Sequence, residues 1–175
     1  MTSGNAIDTA RLRLVVLTPE TLERLLAADL DGASRHMGCV FANDFLATVN
    51  DVFLTRQLDG LRRRPLTPGW FARAIVRRED DRVIGHCGFH GDPADVGRAE
   101  IGYTVLAPFR RQGFATESAQ GLVDWSRAQG SDAVFATIAA DNAASIALVT
   151  RLGFRRSAVH LSRGAEEYVF ELPLL

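Results

Sequence analysis

The run Arg110-Arg111-Gln112-Gly113-Phe114-Ala115 joins positive charge, a glycine and a small residue just ahead of a helical apolar pattern. Such a loop at a helix start suits a pyrophosphate. The first helical N–H groups have no internal acceptor, they point outward, and the helix dipole adds partial positive charge. The N–H groups from Arg111 to Ala115 are the expected donors, with Thr116 in the same turn. Arg110 or Arg111 adds charge, and Ala115 permits close approach. No Gly-Lys-Ser/Thr follows the loop, so the lysine that a nucleotide-triphosphate site needs is missing.

Other residues could do chemistry. Glu100 alternates with Ile101 and Tyr103, so one face of an extended stretch carries a carboxylate. His86 and His90 fall on one face of another. Cys87 lies between them but points the other way and no fourth ligand stands out, so no metal is expected. Asn142 and Ser145 sit where a further helix begins, and both suit local capping as well as ligand contact.

The elements that position these residues are legible from periodicity. Leu12, Leu14 and Val16 mark a first strand, and Thr18-Pro19 starts a helix whose face continues through Leu22, Leu25, Leu26 and Leu30. Gly32 to Gly69 reads as mostly helical, with its order of elements open. Trp70 to Arg77 and Val83 to His90 form a hairpin turning at Asp80-Asp81. Asp92 to Asp95 is the next turn, leading to the Glu100 strand. Beyond the loop, Ala115, Ala119, Leu122, Val123 and Ser126 repeat at helical spacing. Gly130-Ser131-Asp132 ends that helix and Val134 to Ile138 is a buried strand. Asp141-Asn142 caps a helix running to Leu152, closed by Gly153. Strands near Arg155–Leu161 and Glu167–Leu172 pair through a turn at Gly164.

At 175 residues, 47% hydrophobic and 23% charged, the sequence fits one globular domain spanning 1–175. Its net charge of -1 argues against nucleic acid as a partner. The Arg62-Arg63-Arg64 run before Pro65 reads as a solvated helix end. Two cysteines imply no disulfide framework, and a polar N-terminus with no spanning stretch leads to the expectation of a cytoplasmic protein that engages no membrane.

Two motifs in this order resemble the GNAT acetyltransferase superfamily. Arg110-x-x-Gly113-x-Ala115 is similar to its pyrophosphate loop, and Asn142-x-x-Ser145-x-x-Leu148, ending in Leu152-Gly153-Phe154, is similar to the elements flanking its pantetheine arm. They stand about thirty residues apart with a strand between. Ala10-Arg11-Leu12-Arg13-Leu14 and Glu100-Ile101-Gly102-Tyr103 look most like the RimJ/RimL-type branch. The resemblance implies an α+β, three-layer α/β/α fold. Its mixed, mostly antiparallel sheet has about seven strands. A splayed fourth and fifth strand, here the Glu100 and Val134–Ile138 strands, hold acetyl-coenzyme A. The family parts them with a bulge, which would leave Val105 or Leu106 to donate to the acyl carbonyl and to pair with the pantetheine amides.

The resemblance further implies direct attack of an amine on the thioester in a ternary complex. Many relatives place a tyrosine four residues before the Gly-Phe pair to protonate the leaving sulfur. Here that position is Val149. Ser145, one turn earlier on the same face, takes the role, Asn142 contacts the cofactor, and Glu100 is the candidate base through a water, with His86 and His90 next. A protein N-terminal amine is roughly a tenth or more neutral at pH 7, a lysine only about one part in 2,500, so this modest machinery suits a protein or peptide α-amine. The Gly32–Gly69 segment should form the acceptor wall. Its few acids, Asp44, Asp51 and Asp59, argue against a polycationic acceptor. The alternatives are acetylation of a small amine (antibiotic, polyamine or amino acid) and a non-catalytic acyl-coenzyme A sensor, which Val149 keeps open. Pairing of two copies through the C-terminal strands is a further expectation.

Overall fold

The computed structural model describes residues 6–162 and 164–174. Strands β1 (Ile7–Asp8) and β2 (Leu12–Val16) are followed by helices α1 (Pro19–Leu26), α2 (Leu30–Met37) and α3 (Asp51–Arg63). Then come β3 (Ala72–Arg77), β4 (Val83–Phe89), α4 (Pro93–Val96), β5 (Ala99–Val105), α5 (Phe114–Ala128), β6 (Ala133–Ala139), α6 (Ala143–Arg151), β7 (Arg155–Ser162) and β8 (Ala165–Pro173). Three differences from the sequence reading have local causes. The two-residue β1 is too short to show a period, which makes eight strands instead of about seven. Leu30 opens a new helix because Asp29 caps it, accepting from Gly32 N–H at 2.8 Å. Asp92 likewise caps the single turn of α4, where a plain turn was expected.

The sheet runs β1-β2-β3-β4-β5-β6-β8-β7, and every pairing is antiparallel except β5 with β6. Helices cover both faces, giving the expected three layers. Leu22, Leu25, Leu54, Leu58 and Leu61 of α1 and α3 bury with Phe45 against Ala72, Ala74 and Val76 on one face. On the other, Ala119, Leu122 and Val123 of α5 and Val149 of α6 join Leu12, Leu14, Ile101, Val134 and Ala136. Gly121 lets α5 lie close to the sheet: a Cβ there would stand 3.2–3.3 Å from Thr9, Ile7 and Leu14. Among the described residues no helix is long and apolar enough to cross a membrane.

The parallel pair shapes the site. β5 and β6 match only at Ala99↔Val134 and Glu100↔Phe135. Beyond that, β5 stays with β4 as far as Val105 and β6 stays with β8 as far as Ala139, so the sheet opens into a V. The bulge is one strand away from its expected place. The β4–β5 ladder keeps its register from Phe89↔Ile101 to Gly85↔Val105, whereas β4 slips against β3 between Ile75 and Val76. A bulge bends the strand that carries it, and at Gly85 any Cβ would strike the Thr104 carbonyl.

Candidate active site

At the mouth of the V, the loop after β5 feeds α5. Gly113 occupies the cap position at φ +83° and offers no side-chain cap, so the first-turn N–H groups stay available to a ligand. Arg111 also has positive φ, +61°, a conformation that costs a non-glycine residue about 1–2 kcal/mol. Alternation of this kind turns successive N–H groups into a concave, anion-binding arrangement. Arg11 holds the turn from outside: it bonds the Gln112 carbonyl at 3.0 Å, pairs with Glu117 at 2.7 Å, and lies 4.4 Å from the Phe114 ring centroid.

The antiparallel β4–β5 ladder decides which backbone groups face the opening. His90 N–H bonds Glu100 O and Leu106 N–H bonds Ile84 O, both at 2.9 Å. Since bonded pairs alternate, the groups of Glu100, Gly102, Thr104 and Leu106 face β4, and those of Tyr103 and Val105 face the V. Leu106 is therefore not the expected donor: its N–H is taken and its side chain is buried. Val105 N–H faces the opening; of the two residues named from the sequence, Val105 is the one whose N–H the ladder leaves free. Its carbonyl accepts from Arg110 Nε at 2.9 Å, which anchors that guanidinium at the cavity edge. The Gln112 side chain turns back to the Pro108 carbonyl at 3.2 Å, away from the cavity, so only its backbone N–H, the group named from the sequence, is concerned.

A cavity of about 690 Å³ connects these parts, lined by Tyr103, Val105, Arg110, Arg111 and Gly113 to Thr116 on one side and by α6 on the other. That is ample for a pantetheine arm and its diphosphate, at the scale of ligand pockets generally. From α6 come Asn142, Ser145, Leu148 and Arg151. Asn142 caps the helix, its Oδ1 accepting from Ser145 N–H at 3.1 Å. Val149, one turn beyond Ser145, is fully buried in the core and cannot reach the cavity. Neither Tyr103 nor Arg151 had a place in the site as read from the sequence. Both line the cavity, and only the pairing of distant elements brings them there.

Glu100 lies outside this cavity, at the last paired position before the strands part. Its carboxylate bonds Arg98 at 2.7 and 2.9 Å. Burial alone would raise its pKa, but hydrogen bonds from Thr137 and Arg98 and the charges of His90 and Arg98 outweigh that, and the net shift is downward. Burial also lowers the pKa of His90, 3.6 Å from Glu100, and of His86, whose ring packs at a 42° tilt against Phe53 and lies 3.2 Å from the Thr48 carbonyl. Both imidazoles are thus mostly neutral at pH 7. Cys87 lies on the opposite side in the α5 core, with burial pushing its thiol up to about 12.

Residues 11–155 match the family model for the acetyltransferase (GNAT) domain. The chain belongs to the GNAT acetyltransferase family. It is 30% identical over 119 residues to the N-acetyltransferase p20 of Bacillus licheniformis, covering 67% of this chain and 60% of that one. Against the curated relatives it matches, the chain spans from 49% to 60% of their length. A GNAT-family acetyltransferase from Bordetella pertussis superposes with a TM-score of 0.68 at 20% identity, covering 95% of this chain and 98% of its own. The RimL ribosomal L7/L12 α-N-protein acetyltransferase in complex with coenzyme A superposes at 0.64 with 17% identity, covering 96% and 97%.

Proposed function

We propose that this protein transfers an acetyl group from acetyl-coenzyme A to a primary amine, with a protein or peptide α-amine as the favoured acceptor. One observation carries the reading. One cavity joins a helix N-terminus without a side-chain cap to Val105 of the parted strand and Ser145 of α6. The first-turn N–H groups of α5, with Arg110 and Arg111, hold the diphosphate. Val105 N–H meets the acyl carbonyl, where charge gathers as the amine attacks; such a donor contributes about 3 kcal/mol to transition-state stabilisation. As the C–N bond forms and the C–S bond breaks, Ser145 gives its proton to sulfur.

The amine's surplus proton leaves through water beside Glu100. A carboxylate with a lowered pKa is a weak base, which suits an amine already partly neutral. The likeness to a ribosomal-protein α-amine acetyltransferase supports the same acceptor class. Pairing of two copies would use β7, which ends the sheet with Val159 and Leu161 exposed; light scattering at two concentrations reads this directly.

The test is thiol release from acetyl-coenzyme A across a panel of peptides with free N-termini, lysine side chains and small amines. Peptide α-amines are expected to turn over fastest. Faster turnover of a small amine would reassign the acceptor, and no turnover despite tight binding would make the protein an acyl-coenzyme A sensor. Ser145→Ala should lower kcat by about a hundredfold with little change in acetyl-coenzyme A affinity. An unchanged kcat would remove Ser145 from the mechanism.

A further inference from the structure

We propose that Tyr103 is the positioning residue for this proton transfer: its phenol donates to Ser145 Oγ and so turns the Ser145 proton toward the sulfur. The inference rests on the acetyl-transfer reading above and adds a residue to it. Tyr103 and Ser145 line the same cavity from opposite walls, one on the parted strand and one in the first turn of α6. The Tyr103 hydroxyl is fully buried and, among the described residues, makes no hydrogen bond of normal geometry. A buried hydroxyl without a partner is unfavourable, so a group this placed calls for an acceptor beside it.

Ser145 is that acceptor. Burial raises the Tyr103 pKa and the nearby Ser145 hydroxyl opposes the rise, so the two hydroxyls lie within reach of each other in the cavity they share. The phenol therefore keeps its proton throughout the neutral range and can act as a donor. Serine has one proton and two lone pairs. With one lone pair facing Tyr103, its own O–H is free to point into the cavity.

Energetics favour the same arrangement. A thiol has a pKa near 8.5, and a serine hydroxyl is a far weaker acid, so unaided transfer from serine to thiolate runs uphill. A donor onto the serine oxygen strengthens as that oxygen gains charge, which is stabilisation realised only in the transition state. The balance is simple. The Ser145 O–H bond breaks and an S–H bond forms, while Tyr103 keeps its proton in a tightened hydrogen bond. Water entering as products leave restores the serine proton, and the proton lost by the amine returns one to water.

Wild type, Tyr103→Phe, Ser145→Ala and the double variant should be compared in two ways. With saturating coenzyme A, ultraviolet titration of the bound thiol reads whether the hydroxyl pair stabilises the thiolate. Tyr103→Phe and Ser145→Ala should each raise that thiol pKa, and the double variant should match Ser145→Ala. In turnover, Tyr103→Phe should lower kcat about tenfold, the size of one hydrogen bond, with KM for acetyl-coenzyme A within about twofold. In the Ser145→Ala background it should do nothing more. Equal thiol pKa and kcat in Tyr103→Phe and wild type, an equal further loss in the double variant, or a loss confined to KM would each overturn the relay and make Tyr103 a wall. Absence of coenzyme A binding to wild type, read by calorimetry, would instead sink the cofactor reading and this inference with it.

Discussion

Replacing Gly113 by alanine probes the loop on which the cofactor reading depends. Gly113 sits at φ +83°, where an L-residue is strained by about 1–2 kcal/mol. A Cβ there would also lie 3.3 Å from Arg11 Nη2, tight enough that the guanidinium must give way. It cannot do so freely, since it bonds both Glu117 and the Gln112 carbonyl. For a chain of this size such strain lowers Tm by about 2–8 °C. If the loop relieves it by rotating its N–H groups off the ligand, coenzyme A affinity falls by about tenfold, the equivalent of about 1.4 kcal/mol. Gly130 supplies the control. It has nearly the same φ, +82°, with nothing within 4 Å of where a Cβ would stand, and lies beyond the far end of α5. Gly130→Ala should lose stability without losing affinity. Calorimetric titration and thermal unfolding of both variants decide the matter: a Gly113→Ala protein that binds coenzyme A as tightly as Gly130→Ala would refute the assignment of the α5 loop to the diphosphate.

Three further outcomes follow from the charges and burial. Glu117 accepts from Thr9 Oγ1 at 2.6 Å, Arg11 N–H at 2.7 Å and Arg11 Nε at 2.7 Å; burial opposes these bonds, but its pKa is lowered overall from 4.5. Its contribution is thus full above its unfolded pKa and is lost as pH falls through the lower folded value. Glu117→Gln should cost about 2 kcal/mol at pH 7, and the gap from wild type should close below pH 4.5; a gap independent of pH would refute the clamp. Because the Glu100 pKa is lowered, the rate with a peptide α-amine should rise between pH 6 and 8 with the amine's own ionisation, near 7.7–8.0, in both wild type and Glu100→Gln. A limb near pH 6 that vanishes in Glu100→Gln would show a tuned base instead. Burial raises Cys39 to about 11 and Cys87 to about 12, so the folded protein should resist thiol reagents until denatured; rapid native labelling would contradict that burial.

What the residues declared unaided was local. A proline-led cap at Thr18, the period of α5, the glycine at its start and the Asn142 cap are each set by a few neighbours, and each stands where its pattern put it. The helix start without a side-chain cap after β5 was legible for the same reason, since N–H exposure there needs only that helix. The tertiary structure decided which backbone groups were free. Val105 and Leu106 look equivalent in sequence, yet ladder alternation spends the Leu106 N–H on Ile84 and leaves Val105 facing the V. It also moved the bulge to β4, turned Gln112 back onto Pro108, and set Glu100 among Arg98, Thr137 and His90 instead of in the cavity. Tyr103 and Ser145 are far apart along the chain and line one cavity only because β5 and α6 wall the same opening. Hydrogen-bond register and side-chain juxtaposition depend on strand pairings across long stretches of sequence, and periodicity carries no information about them.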